Sequence, residues 1–196
     1  MSTTTVETQL ATSKRVPGEA GVWLFVLGDM LIFAVLFGVF LHYRWLEPAL
    51  FLRSQETLNT FYGALNVLLL LTSSWFVASA INQLKTNEAR RGRQLLIGAF
   101  ACGAGFGLVK ILEYGEKIGA GLTVDTDNFY LYYYFLTGIH FLHVIIGLFV
   151  LGYLIARART FDISRDDVGH FESGGIYWHM VDLLWIVLFP LIYLVQ

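Results

Sequence analysis

Residues 174–196 read GGIYWHMVDLLWIVLFPLIYLVQ. At about 1.5 Å per residue, a helix of this length crosses the roughly 30 Å hydrocarbon core of a bilayer. Inside it sit His179 and Asp182 at i, i+3, between Trp178 and Trp185. Trp178, Asp182 and Trp185 fall on one face at i, i+4, i+7. Lipid offers no partner for an ionisable side chain, and such a group in hydrocarbon costs several kcal/mol unless neighbours shelter it. A lone anchor cannot supply that shelter. The stretch therefore implies a bundle of membrane helices with the His–Asp face turned inward.

The rest of the chain supplies the other helices. Of 196 residues, 56% are hydrophobic and only 14% charged. A soluble domain carries roughly 25% charge. Apolar runs over 21–42, 61–83, 94–113 and 129–156 join 174–196 as five spans. Each is helical, because only a helix satisfies its own backbone polar groups in lipid. The expected fold is an all-α polytopic membrane bundle with five transmembrane helices. Residues 1–16, rich in Ser and Thr, read as a disordered cytoplasmic tail, and 17–196 as a single transmembrane domain.

Lys and Arg in short loops set orientation. With the N-terminus cytoplasmic, that side gathers Lys14, Arg15, Lys85, Arg90, Arg91, Arg93, Arg157, Arg159 and Arg165, against Arg44, Arg53 and Lys117 opposite. The expectation is N-terminus inside and C-terminus outside. Net charge is −2 with no basic arm, which argues against a nucleic-acid partner. The lone cysteine, Cys102, excludes an intramolecular disulfide and a thiolate cluster from this chain alone. Gly103 and Gly107 form a G-x-x-x-G pair suited to close helix approach. Tyr130, Tyr132, Tyr133 and Tyr134 suggest an aromatic belt at the headgroup level.

Further ionisable groups lie in the apolar runs. Asp29 has apolar flanks in the first span. His140 and His143 stand at i, i+3 in the fourth. Lys110 and Glu113 end the third, where an outward-snorkelling ion pair is expected. By rise per residue, Asp29, His143 and Asp182 fall within roughly 10 Å of one level, so one intramembrane polar cluster of Asp29, His140, His143, His179 and Asp182 is expected. For the histidines, three readings compete: metal or haem ligands, partners of an acid across helices, or lipid contact and packing. As a haem pair, His143 and His179 miss one another by about eight residues of depth, roughly 12 Å. No P-loop, nucleophile elbow or His-Glu-x-x-His motif is present, and the residues suggest neither a catalytic nor a metal site.

Five blocks together resemble subunit III of the haem-copper respiratory oxidases, the cytochrome c oxidase subunit III family. They are Gly28-Asp29-Met30-Leu31-Ile32-Phe33, Asn59-Thr60 with Ser73-Ser74, Lys110-Ile111-Leu112-Glu113-Tyr114, Thr137-Gly138-Ile139-His140-Phe141-Leu142-His143-Val144, and Tyr177 to Trp185. Larger members have seven spans, so five look like the short bacterial form. The resemblance implies a non-catalytic subunit in the bacterial inner membrane, beside a catalytic subunit I that carries haem and copper. It implies no cofactor in this chain, a phospholipid in a cleft between the first helices and the rest, and support of proton uptake. The intramembrane acid is usually Glu where this chain has Asp29. Lys110 replaces a Gln, and Phe141 a small residue. These departures, with Pro17-Gly18-Glu19-Ala20-Gly21-Val22-Trp23, resemble the branch that accompanies bacterial nitric oxide reductases. A haem-b anchor and a small proton-coupled transporter using Asp29 and Asp182 are the competing classes.

Overall fold

The computed structural model describes residues 17–159 and 165–195; the segment read as a tail, 1–16, lies outside them. In order come α1 (Ala20–Leu46), α2 (Pro48–Gln55), α3 (Thr60–Lys85), α4 (Ala89–Gly119), α5 (Asn128–Arg157) and α6 (Arg165–Phe189), then a π-helical turn, Pro190–Leu194. Among the described residues there is no strand, and five helices are long and apolar enough to cross a membrane. The all-α, five-span expectation holds.

α3, α4, α5 and α6 close a four-helix ring, and α1 lies outside it against α6 and α5. Burial separates the roles. In its most apolar stretch α6 is 61% buried, whereas α1 is 17% buried. α6 is thus the central helix and α1 an outrigger.

Local chemistry sets the corners. Asn59 and Asp127 cap α3 and α5 by accepting the backbone N–H groups of Phe61 and Tyr130. The tight α3–α4 turn places Asn87 at φ +63°, a left-handed conformation that asparagine tolerates better than most residues. Gly92 then lets α4 close on α3: a Cβ there would lie 2.6 Å from Leu84 Cγ.

The helices outrun the apolar runs that predicted them. α6 starts at Arg165, not 174, because its polar first turns find partners. Glu172 pairs with Lys85 at 2.6 Å and accepts the Gly18 N–H at 2.9 Å, and Asp167 takes Arg157 Nε at 2.7 Å. Hydropathy marks only the apolar stretch of the helix, not its polar first turns. The same holds for α4, whose Ala89–Arg93 start and Gly115–Gly119 end are helical beyond 94–113. The sequence reading missed α2, which is too short and too polar to register as a span. Pro48 begins it and Phe51 buries it, edge-on to Phe40 and Phe129.

Candidate functional site

Lys110 and Glu113 do not snorkel. Both are fully buried, with Lys110 Nζ 3.0 Å from Glu113 Oε2. α4 continues past them to Gly119, so they lie inside the bundle rather than at its rim. Lys110 Nζ also donates to the Tyr193 hydroxyl at 3.0 Å. Tyr193 in turn donates to Glu113 Oε1 at 2.5 Å, and Tyr133 donates to the same oxygen at 2.9 Å. The ammonium stands 4.9–5.6 Å from the ring centres of Tyr114, Tyr133, Trp185 and Tyr193, an aromatic box that offsets desolvation. Tyr193 reaches this network because Pro190 has no N–H. The helix widens to a π turn, closed by Val195 N–H on Pro190 O at 2.9 Å, which alters the register of everything after it.

Trp185 joins this network to His140. The imidazole stacks on the indole at 5.2 Å and 24°, while Phe106 meets both rings edge-on. Both His140 nitrogens are buried without a hydrogen-bond partner. Trp178 lies about two turns before Trp185 on the same face of α6. A Cβ on Gly103 would lie 2.7 Å from its indole, and one on Gly147 would lie 2.6 Å away. Two glycines from α4 and α5 therefore form a slot for one ring. Gly103 admits a side chain here, not a helix backbone. Gly107 faces Phe141 at ordinary contact, 3.4 Å.

The other ionisable groups occupy separate pairs, so the single cluster expected from depth does not form. His143 Nε2 lies 3.2 Å from Asp29 Oδ1, joining α5 to α1. His179 Nδ1 is 2.5 Å from Ser74 Oγ, joining α6 to α3, and Ser74 also lies beside Asp182. Depth is not what keeps these groups apart. Gly147 opposite Trp178 puts His143 within about one turn of His179. The expected eight-residue mismatch came from starting the last span too late. What separates the groups is direction, because they leave α6 and α5 toward different neighbours.

Two members of the expected tyrosine belt turn inward, while Tyr132 and Tyr134 are half-buried. Tyr130 and Tyr133 are buried, and each hydroxyl is used inside. Tyr133 serves Glu113, Tyr130 meets Thr57, and Tyr134 donates to Leu122 O at 2.8 Å. They crowd inward because α2 and the 120–127 loop cover that end of α5. Sequence reasoning gave no role to Tyr193, and Ser74 entered only as part of a motif.

The quoted motif blocks meet in space. Tyr114 hydrogen-bonds Thr137 at 2.7 Å, and Trp185 touches Lys110 and His140. A family model described as cytochrome c oxidase subunit III matches residues 4–196. This chain belongs to the cytochrome c oxidase subunit III family. Cytochrome c oxidase subunit 3 of a Synechocystis strain is 33% identical, over 99% of this chain and 87% of that one. Cytochrome c oxidase subunit 3 of Bacillus subtilis is 30% identical, over 97% and 94%. Heme-copper oxidase subunit I+III of Aeropyrum pernix is 28% identical, over 90% of this chain and 22% of that longer one. Within this subunit III fold, the polar side chains join helix to helix. Among the described residues, no three His, Cys, Asp or Glu side chains converge.

Proposed function

We propose that this chain is an accessory subunit of a bacterial inner-membrane haem-copper oxidase, with its Lys/Arg-rich end cytoplasmic. It stabilises a catalytic subunit I that carries the haem and copper, and it supports proton uptake. The Aeropyrum pernix relative, whose name joins subunits I and III in one chain, supports direct association of the two.

The observation that carries the proton role is the Asp29–His143 pair. His143 Nδ1 lies 2.8 Å from the Ile139 carbonyl, which only accepts, so Nδ1 holds a proton. Nε2 and Asp29 Oδ1 then need one further proton between them. It sits on the carboxyl or on the imidazole, and without it two acceptors face each other. The pair is thus a two-position proton holder. It opens toward a shallow groove on the outer side of α1, where Gly28 leaves the backbone bare and Leu24, Phe25 and Ile32 form the walls.

A cavity of about 440 Å³ between α1, α5 and α6 supports the lipid reading. Val22, Phe25, Val150 and Tyr177 give it an apolar floor, and Glu19, His170 and Ser173 a polar mouth.

Purification through a tag on this chain tests the proposal. A co-purifying subunit bearing haem and copper is expected, with no stoichiometric haem absorption from this chain alone. Haem in the isolated chain, or proton-coupled flux by it in vesicles, would support the anchor or transporter instead. Lys110 and Asp29, unusual for the family, favour one second reading, an accessory subunit of a nitric oxide reductase. Oxygen against nitric oxide consumption by the purified complex separates the two.

A further inference from the structure

A second cavity, about 240 Å³, lies between the start of α4 and the end of α5. Three guanidinium side chains line it: Arg90, Arg93 and Arg159. Its floor is Ala89, Ile97 and Ala158. Among the described residues, no carboxylate forms an ion pair with any of the three arginines. Arg93 Nε is enclosed with no acceptor. Three clustered positive charges with an unused donor repel one another and draw an anion. The guanidinium fork is shaped to grip phosphate oxygens in pairs.

Position narrows the anion. Arg93, Ile97 and Phe100 follow at i, i+4, i+7 on α4, so one face changes from charged to apolar as the helix enters the membrane. Ile97 and Phe100 stay exposed. The charged part sits where a phosphate would, and the apolar strip below runs where acyl chains would. Basic pockets between membrane helices on the cytoplasmic side suit anionic headgroups.

We propose that this pocket binds the phosphate of an anionic phospholipid. It differs in place and charge from the α1 cavity, whose mouth carries Glu19. It does not depend on the oxidase assignment, since binding is read on the chain alone.

The test is native mass spectrometry of the full-length chain in detergent, titrated with phosphatidylglycerol and with phosphatidylcholine of the same acyl chains. Wild type is expected to retain phosphatidylglycerol preferentially. Near a surface each such charge is worth about fivefold in affinity, so the Arg90→Gln/Arg93→Gln/Arg159→Gln variant should lose roughly a hundredfold. That variant also removes charges that orient the chain. The triple Arg→Lys variant keeps them, and is expected to weaken phosphatidylglycerol several-fold because lysine lacks the fork. Arg53→Gln, at the opposite end, should change nothing. Equal retention of both lipids, an unaffected triple variant of either kind, or an equal loss with Arg53→Gln would overturn the site. Arginine-dependent binding of inorganic phosphate without phosphatidylglycerol binding would overturn the lipid as ligand.

Discussion

Tyr193 and Lys110 are 83 positions apart, yet the phenol oxygen accepts from the ammonium at 3.0 Å while donating its own proton to Glu113. One hydroxyl thus serves both members of a buried ion pair and ties the end of the chain to α4. A buried ion pair is weak evidence of net stabilisation, but losing one member strands the other.

Glu113→Gln should therefore destabilise the bundle by roughly 3–5 kcal/mol, since the buried Lys110 amine loses its counterion. Lys110→Met should cost less, because two tyrosine hydroxyls still donate to Glu113. The double variant should be milder than the sum. Reversible unfolding in mixed micelles measures all three, and strict additivity would contradict the coupling.

Tyr193→Phe removes two buried hydrogen bonds and should cost about 1–3 kcal/mol. Pro190→Ala should show a similar loss through a different route. It restores an N–H, lets the helix continue with ordinary register and turns Tyr193 away. If Pro190→Ala is as stable as wild type while Tyr193→Phe is not, the π turn is not what aims the phenol.

Gly147→Ala and Gly103→Ala each drive a methyl into the Trp178 indole and should cost about 1–3 kcal/mol. Gly138→Ala, where a Cβ meets nothing within 4 Å, should be neutral or stabilising. Trp178→Phe should be harmful alone yet relieve part of the Gly147→Ala defect. A thermal-melt double-mutant cycle that finds no relief would dismiss the slot.

Asp29→Asn and His143→Gln each leave the other without its shared proton. In the parent complex both should slow proton uptake or hasten inactivation during turnover, and the double variant should be no worse than the more severe single. Unchanged pumping stoichiometry and turnover lifetime in both would leave the pair as packing.

Span count and the inward face of α6 were legible in the sequence because lipid imposes a length and penalises charge one residue at a time. Lys110 and Glu113 misled. Near the end of an apolar run an ion pair looks free to reach water, and nothing local reveals that the π turn brings Tyr193 to it. The polar cluster failed for a related reason. Residue counting gives depth but not azimuth, and Asp29, His179 and His140 point to different neighbours. Tyr130 and Tyr133 were misread because α2, which packs against that end of α5, is too short to show as a hydropathy peak.

α1 is made before its packing partners α5 and α6. Asp29 waits through 114 positions of further synthesis before its imidazole exists. Until then the carboxyl has no imidazole to pair with, and a bare charge in lipid is costly. Docking of the outrigger accordingly follows synthesis of α5, and a nascent chain halted before His143 should present α1 to membrane quality-control proteases as an orphan.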